Sequence, residues 1–197
     1  PDKDRDGIRL LPNGEQLALL CQTQSRHLDS MELVKAYWEE VGVRLEVRQE
    51  SNALINEREE ANDWDIQTIY YCPGGMDAIL DPRGYLPASG GARHMYQHYL
   101  WYISGGENGM EPPAIVKEQL DLYDQIMATP DPEEQNDLMG QILQISADNF
   151  WVPGISRVPT GYFVTKTNFR NVVDVEWSAW TYPNPAPINL FQCFWDE

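Results

Sequence analysis

The chain has 197 residues, enough to bury a proper hydrophobic core in one domain with a tail. Acidic residues outnumber basic ones 31 to 14, for a formal net charge of −17, and no basic patch is present to suggest a nucleic-acid partner. No run of ~18 or more apolar residues offers a membrane span, and the start at Pro1, without Met or a signal peptide, reads as a mature product or a fragment.

Along the chain, the first element is a short apolar strand over Gln16–Thr23, entered from the turn Pro12-Asn13-Gly14. Asp29 and Ser30, with Glu32 just inside, form a helix-start signal of capping-box type. Leu33, Val34, Tyr37, Trp38 and Val41 then share one helical face, and Gly42 ends the helix. Val43, Leu45 and Val47 alternate with Arg44, Glu46 and Arg48, the pattern of a half-buried strand. A polar helix over Asn52–Asn62 leads to a third strand, Trp64–Tyr71. Strand, helix, strand, helix, strand predicts a largely parallel sheet with right-handed crossovers.

The stretch Tyr70–Pro113 is rich in aromatic residues, carries glycine pairs at 74–75, 90–91 and 105–106, and shows little periodicity. A loop this long is rarely idle, and it leaves the carboxyl end of a strand, where open α/β sheets meet their ligands. Beyond it, Pro112 and Pro113 open a helix carrying Ile115, Val116, Leu120, Tyr123, Ile126 and Met127. Asp131-Pro132-Glu133 starts another, with Asp131 as N-cap and Leu138, Ile142, Leu143 and Ile145 as its apolar face. Met127 and Met139 read as core. A strand pair is expected over Trp151–Val164, then a turn over Thr167–Val173. The remainder, Asp174–Glu197, reads as an extended tail laid on a surface.

Few chemical motifs emerge. Cys21, Cys72 and Cys193 follow no CxxC spacing; their odd number permits at most one internal disulfide, and Cys21 reads as an apolar filler in a strand. Asp2, Asp4, Asp6 and Gly7 begin like a calcium loop, but Asn13 stands where the bidentate Glu belongs, so a charged turn is the better reading. His94 and His98 are four apart without an H-E-x-x-H pattern, and read as two exposed histidines. No G-x-S-x-G, P-loop or GxGxxG is present. No metal or cofactor is expected.

Four stretches in order carry a family resemblance: Asp2–Leu17, Trp64-Asp65 through Asp81-Pro82, Pro112–Asn149, and Trp151–Val173 with the closing Asn184-Pro185. The chain resembles the C-terminal portion of family 5 extracellular solute-binding proteins, the oligopeptide- and nickel-binding class of ABC-transporter receptors. Asp81-Pro82-Arg83, Tyr99–Gly106 and Gly109–Pro113 are similar to a subgroup that includes oligosaccharide binders. The resemblance implies an α/β lobe of the periplasmic-binding-protein type: a mixed, largely parallel sheet flanked by helices, with a long aromatic loop and an extended tail. It further implies that residues 1–197 form the C-terminal lobe of a two-lobe receptor whose N-terminal lobe is absent. Implied partners are a small solute, the transporter's permease subunits and that lobe; the implied location is periplasmic or extracellular.

Peptide-binding members usually place an aspartate shortly before the Asp-Pro, to pair with the peptide's terminal amine. Here the place reads Tyr70-Tyr71-Cys72-Pro73-Gly74-Gly75, with Asp77 the nearest acid, which favours an uncharged solute over an oligopeptide. Sugars pack their C–H faces on aromatic rings and pair their buried hydroxyls. Trp101 is therefore the leading contact, with Tyr71, Tyr96 and Tyr102 as further platforms and Asp77, Gln97 and Asn108 as polar partners. An enzyme, such as a glycoside hydrolase built on Asp77 and Asp81, is the distant alternative.

Overall fold

A computed structural model describes residues 2–68, 77–155, 161–174 and 189–196. It divides into two compact units. The first takes in Pro1–Tyr71 and Gly90–Pro112, the second Cys72–Ser89 and Pro113–Glu197.

The first unit is built on a parallel three-stranded sheet ordered β2-β1-β3. Strand β1 (Ala18–Thr23) lies in the middle. It pairs with β2 (Arg44–Gln49) from Ala18↔Arg44 to Thr23↔Gln49, and with β3 (Ile66–Gln67) through Cys21↔Ile66 and Gln22↔Gln67. Helix α1 (Leu28–Glu40) joins β1 to β2, and α2 (Asn52–Ala61) joins β2 to β3. The parallel βαβαβ order expected from the sequence is present, because apolar residues at period two and at helical period each find one face to bury. The third strand is shorter than expected, and its predicted end falls at 69–71, outside the described residues.

Cys21, Met31 and Leu45 form the core of this sheet, with Leu19, Val34, Trp38, Val47 and Ile66 packed against it. Cys21 is fully buried as a filler, and burial pushes its thiol up to about 11. Helix α1 differs from expectation. Its packed stripe is Met31, Val34 and Trp38, whereas Leu33, Tyr37 and Val41 are exposed, Tyr37 at 61%. Five apolar residues span more than one face, and only the stripe over β1 and β2 is covered. The capping box also does not form. A 3-10 turn over Ser25–His27 precedes the helix, His27 is its N-cap, and Asp29 sits in its first turn.

The acidic start of the chain is a turn organised by Asp4. Its Oδ1 accepts from the N–H groups of Asp6 and Ile8, both at 2.9 Å, and its other oxygen takes the amide of Gln16. These bonds, led by that from Ile8, hold its carboxyl below the ordinary value. The N–H of Arg9 then donates to the Gly42 carbonyl at 2.7 Å. Gly42 has φ +83°, and a Cβ there would lie 2.6 Å from the Gly7 carbonyl oxygen, so a side chain is excluded.

Between Asp77 and Pro113 the expected loop is ordered into short helices: α3 (Asp77–Leu80), a 3-10 turn at Arg93–Met95, and α4 (Tyr96–Ile103). Period counting failed here because each piece spans two turns or fewer, too short to show a repeat.

The second unit is organised by α5 (Ala114–Ala128) and α6 (Pro132–Asn149), joined by three residues. Asp131 caps α6 through the Glu133 N–H at 3.0 Å, with Pro132 at its first turn, as expected. Val116, Leu120 and Ile126 are buried on α5, and Leu138, Met139 and Ile142 on α6. Met127 is 68% exposed and is not core. The described residues of 151–164 contain no strand, contrary to expectation. Most of the expected tail, 175–188, lies outside the described residues; its end makes a 3-10 turn over Leu190–Gln192 and then β5 (Phe194–Trp195), which pairs antiparallel with β4 (Phe169–Arg170), the Phe169 and Trp195 rings 4.7 Å apart.

Candidate functional site

Helix α4 reads YQHYLWYI; six of its eight residues are aromatic or aliphatic, yet none is buried. A helix that is apolar all round is normally enclosed by other elements. This one carries Tyr96, Trp101 and Tyr102, three of the residues expected to meet a solute. Tyr71 lies outside the described residues. Asp77 belongs to the second unit, where it begins α3 at 8% exposure.

The loop behind α4 holds it through backbone. The Gly106 N–H donates to the Trp101 carbonyl at 2.9 Å, and the Met110 N–H to that of Gln97 at 3.0 Å. Ser104 Oγ accepts from the Asn108 N–H at 2.9 Å. Gly109 is pressed so close that a Cβ would lie 2.3 Å from the Gln97 carbonyl oxygen. Gly106 lies beside the Trp101 indole, where a Cβ would stand 3.4 Å from Nε1. Trp101 is thus backed by the glycine turn and half-buried.

Tyr96 is positioned by charge. The Arg93 guanidinium lies 5.6 Å over its ring and pairs with Glu59 at 3.2 Å, while the Tyr96 and Tyr99 rings are 6.0 Å apart, tilted by 40°. Glu59 is 2% exposed; burial raises its carboxyl above the ordinary value, against the Gln67 hydrogen bond and the Arg93 charge, which lower it. Gln97, expected as a polar ligand partner, donates its amide to the Glu60 carbonyl at 2.9 Å. Neither Glu59 nor Arg93 stood out in the sequence, because a carboxylate in the polar run NALINEREEA carries no sign of burial.

His94 and His98 are not the exposed pair expected. Both ring nitrogens of His94 are shielded from solvent without a hydrogen-bond partner, and burial pushes its pKa down to about 4. His98 Nδ1 lies 2.9 Å from the Met110 carbonyl oxygen. Together with Asn62, Met95, Tyr96, Gln97 and Met110 they line a cavity of about 130 Å³. Among the described residues no group of three or more His, Cys, Asp or Glu is arranged to hold a metal ion.

In the second unit, Asp81 and Arg83 form a two-point ion pair, Nε to Oδ1 and a terminal nitrogen to Oδ2, each 2.7 Å. The two N–H donors of the buried Gln119 amide have three acceptors in reach, the carbonyls of Tyr85 (3.2 Å) and Ile142 (3.2 Å) and Ser146 Oγ (2.9 Å), and Ser146 Oγ itself donates to Tyr85 at 3.0 Å. Asp81 is therefore held by its own neighbour, Arg83.

No sequence-family profile and no curated protein matches the chain. Solved structures do. The oligopeptide-binding protein OppA is 26% identical with a TM-score of 0.71, matching 96% of this chain and 32% of its own. The periplasmic binding protein MelB of Agrobacterium fabrum C58, solved with stachyose, is 15% identical over 77% of this chain and 23% of its own, TM-score 0.57. A mannohexaose-bound periplasmic oligopeptide-binding protein from Thermotoga maritima is 14% identical over 76% of this chain and 27% of its own, TM-score 0.52. The chain carries the fold of these periplasmic solute-binding proteins, and its motifs resemble those of the family 5 class. These are binding proteins, not enzymes. The chain spans about a third of the length of OppA. Among the described residues no helix is long and apolar enough to cross a membrane.

Proposed function

We propose that this chain forms one side of the solute cleft of an ABC-importer receptor, that it captures an oligosaccharide, and that Trp101, Tyr96 and Tyr102 provide the stacking surfaces. The observation that carries this reading is α4, an aromatic helix with no buried residue. Its aromatic rings are half-buried and only Ile103 is exposed; the part of such rings left in water costs free energy that is recovered when a flat, partly apolar ligand lies on it. The residues around its amino end favour an uncharged ligand, since the described lining of the cavity there holds no Lys, Arg, Asp or Glu. Asp77 suits the amine of a peptide poorly, being buried in the first turn of α3. Two of the structural neighbours were solved with oligosaccharides, stachyose and mannohexaose.

On this reading the chain is the C-terminal lobe of a two-lobe receptor, periplasmic or at the outer cell surface. Ligand would shift the lobes toward closure and the permease would read the closed form. The test is a thermal-shift titration with stachyose, mannohexaose and trialanine. A ligand of the native state must raise Tm with concentration. Stabilisation by a sugar, lost in Trp101→Ala, is expected; stabilisation by trialanine alone would replace the oligosaccharide reading with the peptide one. Appending an N-terminal lobe should raise affinity strongly, because enclosure buries most of a ligand's surface. Equal affinity without it would remove the shared cleft.

A further inference from the structure

The cavity at the amino end of α4 is lined by hydrogen-bonding groups, of which the fold uses the Gln97 amide, on the Glu60 carbonyl, and His98 Nδ1, on that of Met110. Its wall includes Asn62, in the left-handed conformation (φ 54°) that ends α2, and His94, Tyr96, Gln97, His98 and Met110. Both nitrogens of His94 are without a hydrogen-bond partner, which is costly for a buried polar group. In the neutral His98 ring, Nδ1 must carry the proton, because the Met110 carbonyl 2.9 Å away can only accept. That leaves Nε2 with a lone pair, an acceptor. The Asn62 amide can donate and accept, and the Tyr96 hydroxyl does both.

We propose that this cavity is a subsite for one uncharged, hydroxyl-bearing unit of the ligand, held by His98, Asn62 and Tyr96, with the His94 ring forming part of its wall. The assignment rests on the oligosaccharide reading and deepens it. A sugar hydroxyl both donates and accepts, matching the His98 imidazole acceptor, the Asn62 carboxamide and the Tyr96 hydroxyl. An ammonium or carboxylate would enter a cavity whose lining holds no charged side chain to pair with it, at high cost. Burial keeps the His94 ring neutral at any pH well above about 4, so the wall it forms carries no charge. Tyr96 is held in the wall by Arg93 over its ring, itself paired to buried Glu59, so this face of the subsite is prearranged. At about 130 Å³ the cavity suits one ring edge with its hydroxyls, not a chain of sugars.

The chain has three histidines, His27, His94 and His98, so an imidazole 15N spectrum of the intact protein reads the subsite directly, with His27 as internal control. Stachyose, mannohexaose and trialanine are added in turn while the Trp101 indole signal is followed. Shifts of His94 and His98 with either sugar, and none at His27, are expected. Asn62→Gly, which keeps the positive φ, and His98→Ala should each weaken sugar binding about tenfold. A Trp101 response with both histidines silent would overturn the subsite and leave the oligosaccharide reading standing. Histidine shifts with trialanine but not with sugar would overturn the ligand class, and silence at His94 and His98 with every probe would overturn the subsite outright.

Discussion

The Arg93 guanidinium joins Glu59 at 3.2 Å to the Tyr96 ring, over which it lies at 5.6 Å, so a carboxylate on α2 helps set the first aromatic residue of α4. Removing the cation should cost more than removing the acid. Arg93→Met leaves a buried carboxylate unpaired, a loss of about 3–5 kcal/mol at neutral pH, whereas Glu59→Gln leaves a partly exposed Arg93 free to reach water. The raised carboxyl of Glu59 favours the fold most when protonated. Its contribution is full below the ordinary value of 4.5 and is lost as pH rises through its higher folded value. Urea unfolding of both variants at pH 5 and 7 checks this; equal losses at pH 7 would remove the pairing argument.

His94 has the opposite pH sign. Its folded pKa, about 4, is below the ordinary 6.5, so the stability linked to its neutral ring is complete above 6.5. It is lost as pH falls from 6.5 through about 4, up to about 3 kcal/mol. His94→Phe keeps an apolar ring and deletes the titration, so its Tm should fall less steeply than the parent's over that range. Parallel curves would mean that His94 is solvated in the native state.

Two glycines should respond in opposite directions. Gly109 has φ +77°, and its Cβ would meet the Gln97 oxygen at 2.3 Å and the Trp101 nitrogen at 2.7 Å, both backbone atoms that cannot yield cheaply. Gly109→Ala should cost about 2 kcal/mol or more and loosen α4. Gly140 lies in α6 with nothing within 4 Å of its Cβ position. Gly140→Ala should stabilise by about 0.5–1 kcal/mol. Thermal melts of the pair decide it, and a stable Gly109→Ala would refute the close packing behind α4.

In the second unit, Gln119→Leu should be costly despite similar size. It strips hydrogen bonds from the Tyr85 and Ile142 carbonyls and from Ser146, leaving acceptors in a buried region at about 1–3 kcal/mol. Ser146→Ala removes one donor to Tyr85 and should cost less. The ordering of the two in urea unfolding is the check.

Part of this architecture was legible in the residues alone. The alternation Val43, Leu45, Val47 placed β2, Gly42 ended α1, and Asp131-Pro132 started α6, each because a local rule of backbone or burial decides the outcome. The covered stripe of α1 was not legible. Leu33 and Val34 are equally apolar neighbours, and only the sheet beneath determines which of them packs. The partial order of residues 77–113 also escaped, since two-turn helices leave no period to count.

The same division holds for the site. Composition and order of residues by themselves determined an aromatic segment after a parallel sheet, the lack of an acid at positions 70–75, and a resemblance to solute-binding receptors. Tertiary structure alone decided that Tyr96 is held by a buried Glu59–Arg93 pair, that His94 is shielded and neutral, and that Met110 sets the His98 tautomer. The physical reason is that burial and pairing belong to neighbours in space: a Glu in a polar helix and a His in a glycine-rich segment acquire their chemistry only when distant backbone closes over them.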